Sequence, residues 1–231
     1  MEDARDWLPP RLIDRMIRRR GRLHAFERLD PRRTALTVID LTVLFTIEPP
    51  RIEAAVDADT VVANVNRLAT ALRDAGGLVA WVRPAGDAAS PLLPDILGTV
   101  PAAHYRAAAA EGDKRAALHP GLETRPDDLQ ARKALYSAFF PGACDLPDRL
   151  RQRGIDTVLI AGAVTHVCCE ASARDAFSCG FRTVMLADAC LGPQPEHGAS
   201  LAAVYRNFGD VRTTAETISL LREMRDGGDE P

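Results

Sequence analysis

The sequence predicts an α/β fold: a three-layer α/β/α domain built around a mostly parallel central sheet. Three observations predict it. Short β-branched runs alternate with longer stretches of helical periodicity, the pattern left by successive βαβ units. The short runs are nearly continuously apolar instead of alternating, as strands buried on both faces require. The chain has 231 residues, 46% of them hydrophobic, which is enough for one large core.

Taken in order, residues 1–33 form an N-terminal arm, with the basic cluster 15–22 as one face of a helix, and residues 34–231 form a single domain. The first strand is 34–40 (TALTVID), a continuous apolar run that ends on Asp40. Apolar residues at helical spacing over 58–75 predict a helix that the Gly76-Gly77 pair stops. The second strand is 78–83 (LVAWVR), with Trp81 in the core. Residues 84–128 are rich in Ala, Pro and Asp with weak periodicity, so they form a long excursion with one helix around 102–117, the kind of segment that builds substrate pockets. A helix over 146–153 stops at Gly154, and the strand 157–162 (TVLIAG) follows. A helix over 165–178 stops at Gly180, before the strand 183–188 (TVMLAD), a helix over 199–208 and a short strand near Val211.

Charge and composition narrow the partners. The 29 basic and 32 acidic residues give a net charge of −3 and are spread along the chain, so no field favours nucleic acid or a membrane surface. A small molecule is the expected partner. The first residues, MEDARDWLPPRLIDRMIRRRGR, lack the apolar core of a signal peptide, and no run approaches the roughly 20 apolar residues of a membrane span. A soluble cytoplasmic protein is therefore expected. Cys144, Cys168, Cys169, Cys179 and Cys190 are odd in number and lack CxxC spacing, against both a disulfide framework and a structural zinc site.

Ligands of open α/β sheets gather outside the carboxyl ends of the strands, which singles out three residues. Asp40, closing a buried run, is either a helix cap or a functional acid. Cys168 opens the stretch CCEASARDAF, where a helix N-terminus favours a thiolate, although a cysteine there also serves as a small apolar group. Cys169 competes with it, and only one of two adjacent helix positions can face a site. Lys133, within ARKALYSAFFPGACDL, is either a surface lysine or a half-buried amine in need of a charge partner.

Three blocks then carry a resemblance: VIDLTVLF, ARKALYSAFFPGACDLPDRLRQRGIDTVLIAG and GAVTHVCCEASARDAFSCGFRTVMLADAC. In order and spacing they resemble the isochorismatase-like cysteine hydrolase superfamily over residues 34–225, leaving the first 33 residues and the 84–128 excursion outside the match. The resemblance implies a catalytic triad of Asp40, Lys133 and Cys168, with Cys168 instead of Cys169 as nucleophile. It further implies a cis peptide between Ala163 and Val164 and an oxyanion hole from the backbone N–H groups of Val164 and Cys168. The implied activity is hydrolysis of a C–N bond in a small amide, ureide or N-carbamoyl compound through a thioester, releasing ammonia and needing no metal or other cofactor. Nicotinamidases of this superfamily carry an Asp and two His after the second strand, but no histidine occurs here between Arg83 and His104. Isochorismatases proper, which hydrolyse a vinyl ether, resemble this fold but lack the cysteine, so Cys168 points to C–N cleavage; vinyl ether hydrolysis and a non-catalytic binding protein of the same fold are the alternatives. A cysteine–histidine dyad would need His24, His104, His119, His166 or His197, of which only His166 is near in sequence. Phe45, Tyr136 and His166 are candidates for pocket walls, and Arg83 for binding a substrate carboxylate. A homodimer or homotetramer is the implied assembly, with the N-terminal arm a candidate for reaching a neighbouring subunit.

Overall fold

The computed structural model describes residues 3–48 and 53–226, without the side chains of residues 225 and 226. Six strands make one sheet: β1 (Thr34–Ile39), β2 (Leu78–Pro84), β3 (Leu129–Lys133), β4 (Thr157–Ala163), β5 (Arg182–Leu191) and β6 (Asp210–Arg212). Their order is β3-β2-β1-β4-β5-β6, and every neighbouring pair is parallel. Strand order therefore reverses between β1 and β4, and a crevice opens there outside the carboxyl ends of the strands.

Helices cover both faces. They are α1 (Pro10–Arg20), a one-turn α2 (Val43–Thr46), α3 (Ala58–Asp74), α4 (Leu93–Leu97), α5 (Thr99–Ala108), α6 (Leu146–Gln152), α7 (Glu170–Ser178), α8 (Glu196–Asn207) and α9 (Thr214–Asp226). Successive strand residues feed opposite cores, as the pleat dictates. Ala80, Val82, Val158 and Ile160 join α1, α6, α7 and α8 on one face. Val79, Trp81, Leu159 and Ala161 join α3 and α9 on the other. All six residues of β1 are buried, which explains why the central strand reads as a continuous apolar run.

Local signals set the boundaries. Asp57 caps α3 by accepting the Thr60 N–H at 2.9 Å, and Gly76 leaves the helix at φ +85°. Gly154 and Gly180 end α6 and α7 at φ +72° and +88°. Gly162 in β4 has φ +120°, and a Cβ there would lie 1.9 Å from the Ile39 carbonyl oxygen, so only glycine lets β4 pass β1 at the crevice.

Two expectations are corrected and one strand is added. The helix expected around residues 102–117 is α5, displaced to Thr99–Ala108, with α4 before it and a short 3₁₀ turn at Lys114–Ala116 after it. Residues 129–133 form the edge strand β3, whose alternating burial and two charged residues hid it among polar neighbours. Residues 165–178 are not one α-helix: Thr165–Cys169 is a π-turn, and α7 begins at Glu170.

The N-terminal segment packs on its own domain. Leu8, Leu12, Ile13 and Met16 are buried in the core beside Leu201, Val204 and Tyr205 of α8. Its far end is latched by charge: His24 Nδ1 lies 3.2 Å from Asp210 Oδ1, and Nε2 lies 3.5 Å from Glu216 Oε1. Glu216 also accepts the Ala4 N–H at 3.1 Å. Burial lowers the His24 pKa, but hydrogen bonds to Asp210 and Glu216 outweigh it and leave the pKa above 6.5. A folded pKa above the unfolded one stabilises below pH 6.5, and that contribution is lost as pH rises through the folded value. His24→Ala is expected to lower Tm at pH 6 by about 2–4 °C, the shift for roughly 1 kcal/mol in a chain this size, and by clearly less at pH 8.5. Equal losses at both pH values in thermal melts would rule the charged latch out.

Candidate active site

The switch point lies between the carboxyl ends of β1 and β4, which lead to Asp40 and Cys168, and Lys133 reaches them from the end of the edge strand β3 across β2. Asp40 follows β1 at φ +51°, a left-handed conformation uncommon outside glycine and best tolerated by Asp and Asn. Its N–H donates to the Val82 carbonyl at 2.8 Å and its carbonyl accepts the Thr42 N–H at 2.8 Å, so the backbone is pinned on both sides. Lys133 is the last residue of β3, paired in register with Pro84. Cys168 sits in the π-turn that follows β4, a local widening of the helix common at functional sites.

The peptide between Ala163 and Val164 is cis. The Val164 carbonyl accepts from the N–H groups of Val167 at 3.1 Å and Cys169 at 3.2 Å. Thr165 Oγ1 lies 2.9 Å from Nδ1 of the fully buried His197, and Ser200 Oγ donates to the Thr165 carbonyl at 3.4 Å. Burial pushes the pKa of His197 down to about 4, so it braces the turn as a neutral ring. From the chain alone His197 reads only as a residue near a helix start, because no local signal points back across to Thr165.

Lys133 Nζ stands between the other two groups, 2.7 Å from Asp40 Oδ2 and 3.4 Å from Cys168 Sγ, and donates to the Leu135 carbonyl at 3.0 Å. The Asp40 contact is an ion pair with no solvent on either side chain. Burial raises the pKa of Asp40, against the opposing pull of the Lys133 ammonium. Burial also pushes the Cys168 thiol well up, the Asp40 charge adds to that, and Lys133 only partly offsets it. Burial thus favours the neutral thiol at Cys168, against the pull of a helix end toward the thiolate. Cys168 lies in a buried π-turn, where desolvation outweighs any dipole. Cys169 is fully buried, and its thiol is pushed up by burial and by a hydrogen bond with Cys190.

Around this cluster the other expected residues separate. Tyr136 lines a cavity of about 420 Å³ beside Leu135, together with Tyr105 of α5, which the sequence did not single out. Burial raises the Tyr105 pKa, and the charge of Asp40 raises it further. Phe45 packs on Tyr105 with ring centroids 6.5 Å apart and lines a neighbouring cavity of about 400 Å³. Arg83 is not brought there: it lines a separate cavity of about 270 Å³ with Glu111, Asp113, Lys114 and Arg132. His166 lies in the π-turn with Nδ1 buried and unpartnered, and among the described residues no histidine hydrogen-bonds Cys168. His24, His104, His119 and His197 have their own partners elsewhere. Among the described residues, no three His, Cys, Asp or Glu side chains cluster as metal ligands would. None of the described helices is long and apolar enough to cross a membrane.

Fold and cluster together define a three-layer α/β protein with a buried Asp–Lys–Cys cluster at the switch point of its sheet. Residues 34–216 match the isochorismatase domain family, and the chain belongs to that family of hydrolases. The ureidoacrylate amidohydrolase RutB of Methylobacterium radiotolerans is 31% identical over 212 residues, covering 84% of this chain and 81% of that protein. The maleamate amidohydrolase of Pseudomonas putida is 34% identical over 116 residues, 49% of this chain and 53% of that one. A crystal structure of a cysteine hydrolase from Pseudomonas syringae pv. phaseolicola superposes with a TM-score of 0.75 at 27% identity, covering 87% of this chain and 97% of that one.

Proposed function

We propose that this hydrolase cleaves the C–N bond of a small amide or ureide, with Cys168 as nucleophile, Asp40 as proton carrier and Lys133 as the fixed cation between them. The observation that carries the proposal is the Lys133 ammonium, 2.7 Å from the acid and 3.4 Å from the sulfur. The thiol proton passes to Asp40 as Sγ attacks the carbonyl carbon, so one negative charge moves from oxygen to sulfur beside the same ammonium. Net charge in the buried site stays constant, and the desolvation that raises both the acid and the thiol pKa is not incurred a second time.

The tetrahedral oxyanion is assigned to the backbone N–H groups of Val164 and Cys168, at the cis peptide and on the π-turn. When the C–N bond breaks, Asp40 returns the proton to the nitrogen and ammonia leaves. Water attacks the thioester, Asp40 accepts one of its protons, and that proton restores the Cys168 thiol as the acid departs. Every step uses residues already in contact, so no cofactor is required. A homodimer or homotetramer acting in the cytoplasm on a small-molecule amide or ureide is part of the same reading, which assigns no role to nucleic acid or a membrane.

Supporting this reading, two similar proteins are amidohydrolases by name, acting on ureidoacrylate and on maleamate. The test is ammonia release from a panel of carbamoyl amino acids, ureides, maleamate, biuret and simple amides. The expected result is ammonia from at least one class, with the acid formed in equal amount. Hydrolysis of a vinyl ether with no ammonia from any amide would overturn the C–N assignment.

A further inference from the structure

Resting on that reading, we infer that the substrate is an amide whose acyl part is uncharged and apolar. The cavity beside the catalytic cluster carries this. Its wall is formed by Leu92, Ile96, Tyr105, Leu135, Tyr136 and Phe140, and its volume of about 420 Å³ is ordinary for a small-molecule pocket. It adjoins the cluster through Leu135, which lines it and whose carbonyl accepts the Lys133 ammonium at 3.0 Å. Ala171, one turn beyond Cys168 on α7, forms part of the same wall. On this inference, an acyl chain bonded to Cys168 through its carbonyl extends past Ala171 and Leu135 into this space.

No Arg, Lys or His side chain lines the cavity among the described residues. Of the arginines nearest in sequence, Arg132 pairs with Glu111 at 2.9 Å and Asp87 at 3.2 Å, Arg106 is held outside the lining by the Ser90 carbonyl at 2.9 Å, and Arg83 lines the separate cavity, where its Nε is buried without a partner among the described residues. Lys133 is already paired with Asp40. A carboxylate on the acyl chain would enter an apolar wall with no cation to meet it and would have to shed its water there. An alkyl or aryl group instead covers Ile96 and Phe140, which stand 76% and 48% exposed. The preference runs opposite to the substrates named for the two amidohydrolase relatives, ureidoacrylate and maleamate, both of which are carboxylates.

The experiment compares full-length protein on matched pairs, such as hexanamide and the same amide carrying a terminal carboxylate. The expected kcat/KM is at least tenfold higher for the neutral member and rises about fourfold per added methylene, the factor that burial of one CH₂ supplies. Ile96→Ser is expected to raise KM for hexanamide more than it lowers kcat, and Ile96→Arg to narrow or reverse the preference for the neutral member. Equal or better use of the carboxylate-tailed amide overturns the inference. So does a change in oligomeric mass on Ile96→Ser with an unchanged substrate ratio, because the patch would then be a contact between copies of this chain. If neither amide is hydrolysed, the C–N reading is decided by the wider panel, and calorimetric binding to the Cys168→Ala protein still decides this inference. Tighter binding of hexanamide supports it, and equal or tighter binding of the carboxylate-tailed amide overturns it.

Discussion

Cys168→Ala is expected to abolish ammonia release, lowering kcat by on the order of 10⁴ to 10⁶, the range seen when a nucleophile that acts as one unit with its base is removed. The fold should survive the change. Cys168 contributes one small side chain to the core, and its partner Lys133 keeps the ion pair with Asp40 at 2.7 Å and the bond to the Leu135 carbonyl at 3.0 Å. A retained thermal transition alongside lost turnover is therefore the predicted pair of readings. Cys168→Ser gives a sharper comparison, because it preserves shape and hydrogen bonding while replacing the thiol with a hydroxyl of much higher pKa. Asp40 is too weak a base to ionise a serine, so this variant should be nearly as inactive as the alanine one. Undiminished hydrolysis by Cys168→Ala would falsify the thioester route and point to ether hydrolysis, which needs no thiol.

The parallel sheet was legible because each central strand is buried on both faces and must be apolar throughout. Nothing competes with that signal in β1, β2, β4 or β5. Strand β3 was not legible for the converse reason. It is an edge strand of five residues, with one exposed and one half-buried position, and its sequence LQARK carries no β-branched residue. Lys133 consequently read as part of a small-residue cluster instead of the end of a strand. Its burial follows from the register that sets it opposite Pro84, a contact between residues far apart in sequence.

The candidate site was legible where it depends on strand ends and illegible where it depends on the excursion. Asp40 and the turn holding Cys168 follow continuous apolar runs, so their place in an open sheet could be inferred from the chain alone. Which of Cys168 and Cys169 faces the site could not, because the π-turn that orients them depends on contacts to His197 and Ser200 some 30 residues away. Tyr105 was missed because α5 has weak periodicity: its Ala-rich sequence TVPAAHYRAA gives no clear apolar face. Arg83 was singled out because it ends a strand, yet β2 runs on to Pro84 and its guanidinium lines the separate cavity.

The largest stability effect is expected at the Asp40–Lys133 pair. Lys133→Met leaves the Asp40 carboxylate fully buried without its cation, and Asp40→Asn leaves the ammonium in the same position. Each single change is expected to destabilise by about 3–5 kcal/mol, the cost of stranding one charge of a buried pair. The double variant Asp40→Asn/Lys133→Met removes both charges and should recover much of that loss while remaining inactive. This recovery separates electrostatic stranding from packing damage, because packing losses at two adjoining sites would accumulate. In chemical denaturation, a double variant no more stable than either single one would sink the account.

The same pair sets the pH profile. Asp40 has to be ionised to take the thiol proton, and burial raises its pKa above 3.8 against the pull of Lys133. The acid limb of kcat/KM should therefore lie above the ordinary carboxylate value, with activity rising as pH passes through the raised pKa. Lys133 is held charged well beyond 10.5 by Asp40, so its contribution to stability is complete at neutral pH and is lost only as alkaline pH passes through its folded pKa. An acid limb at or below pH 3.8 would place the essential base on some group other than this buried carboxylate.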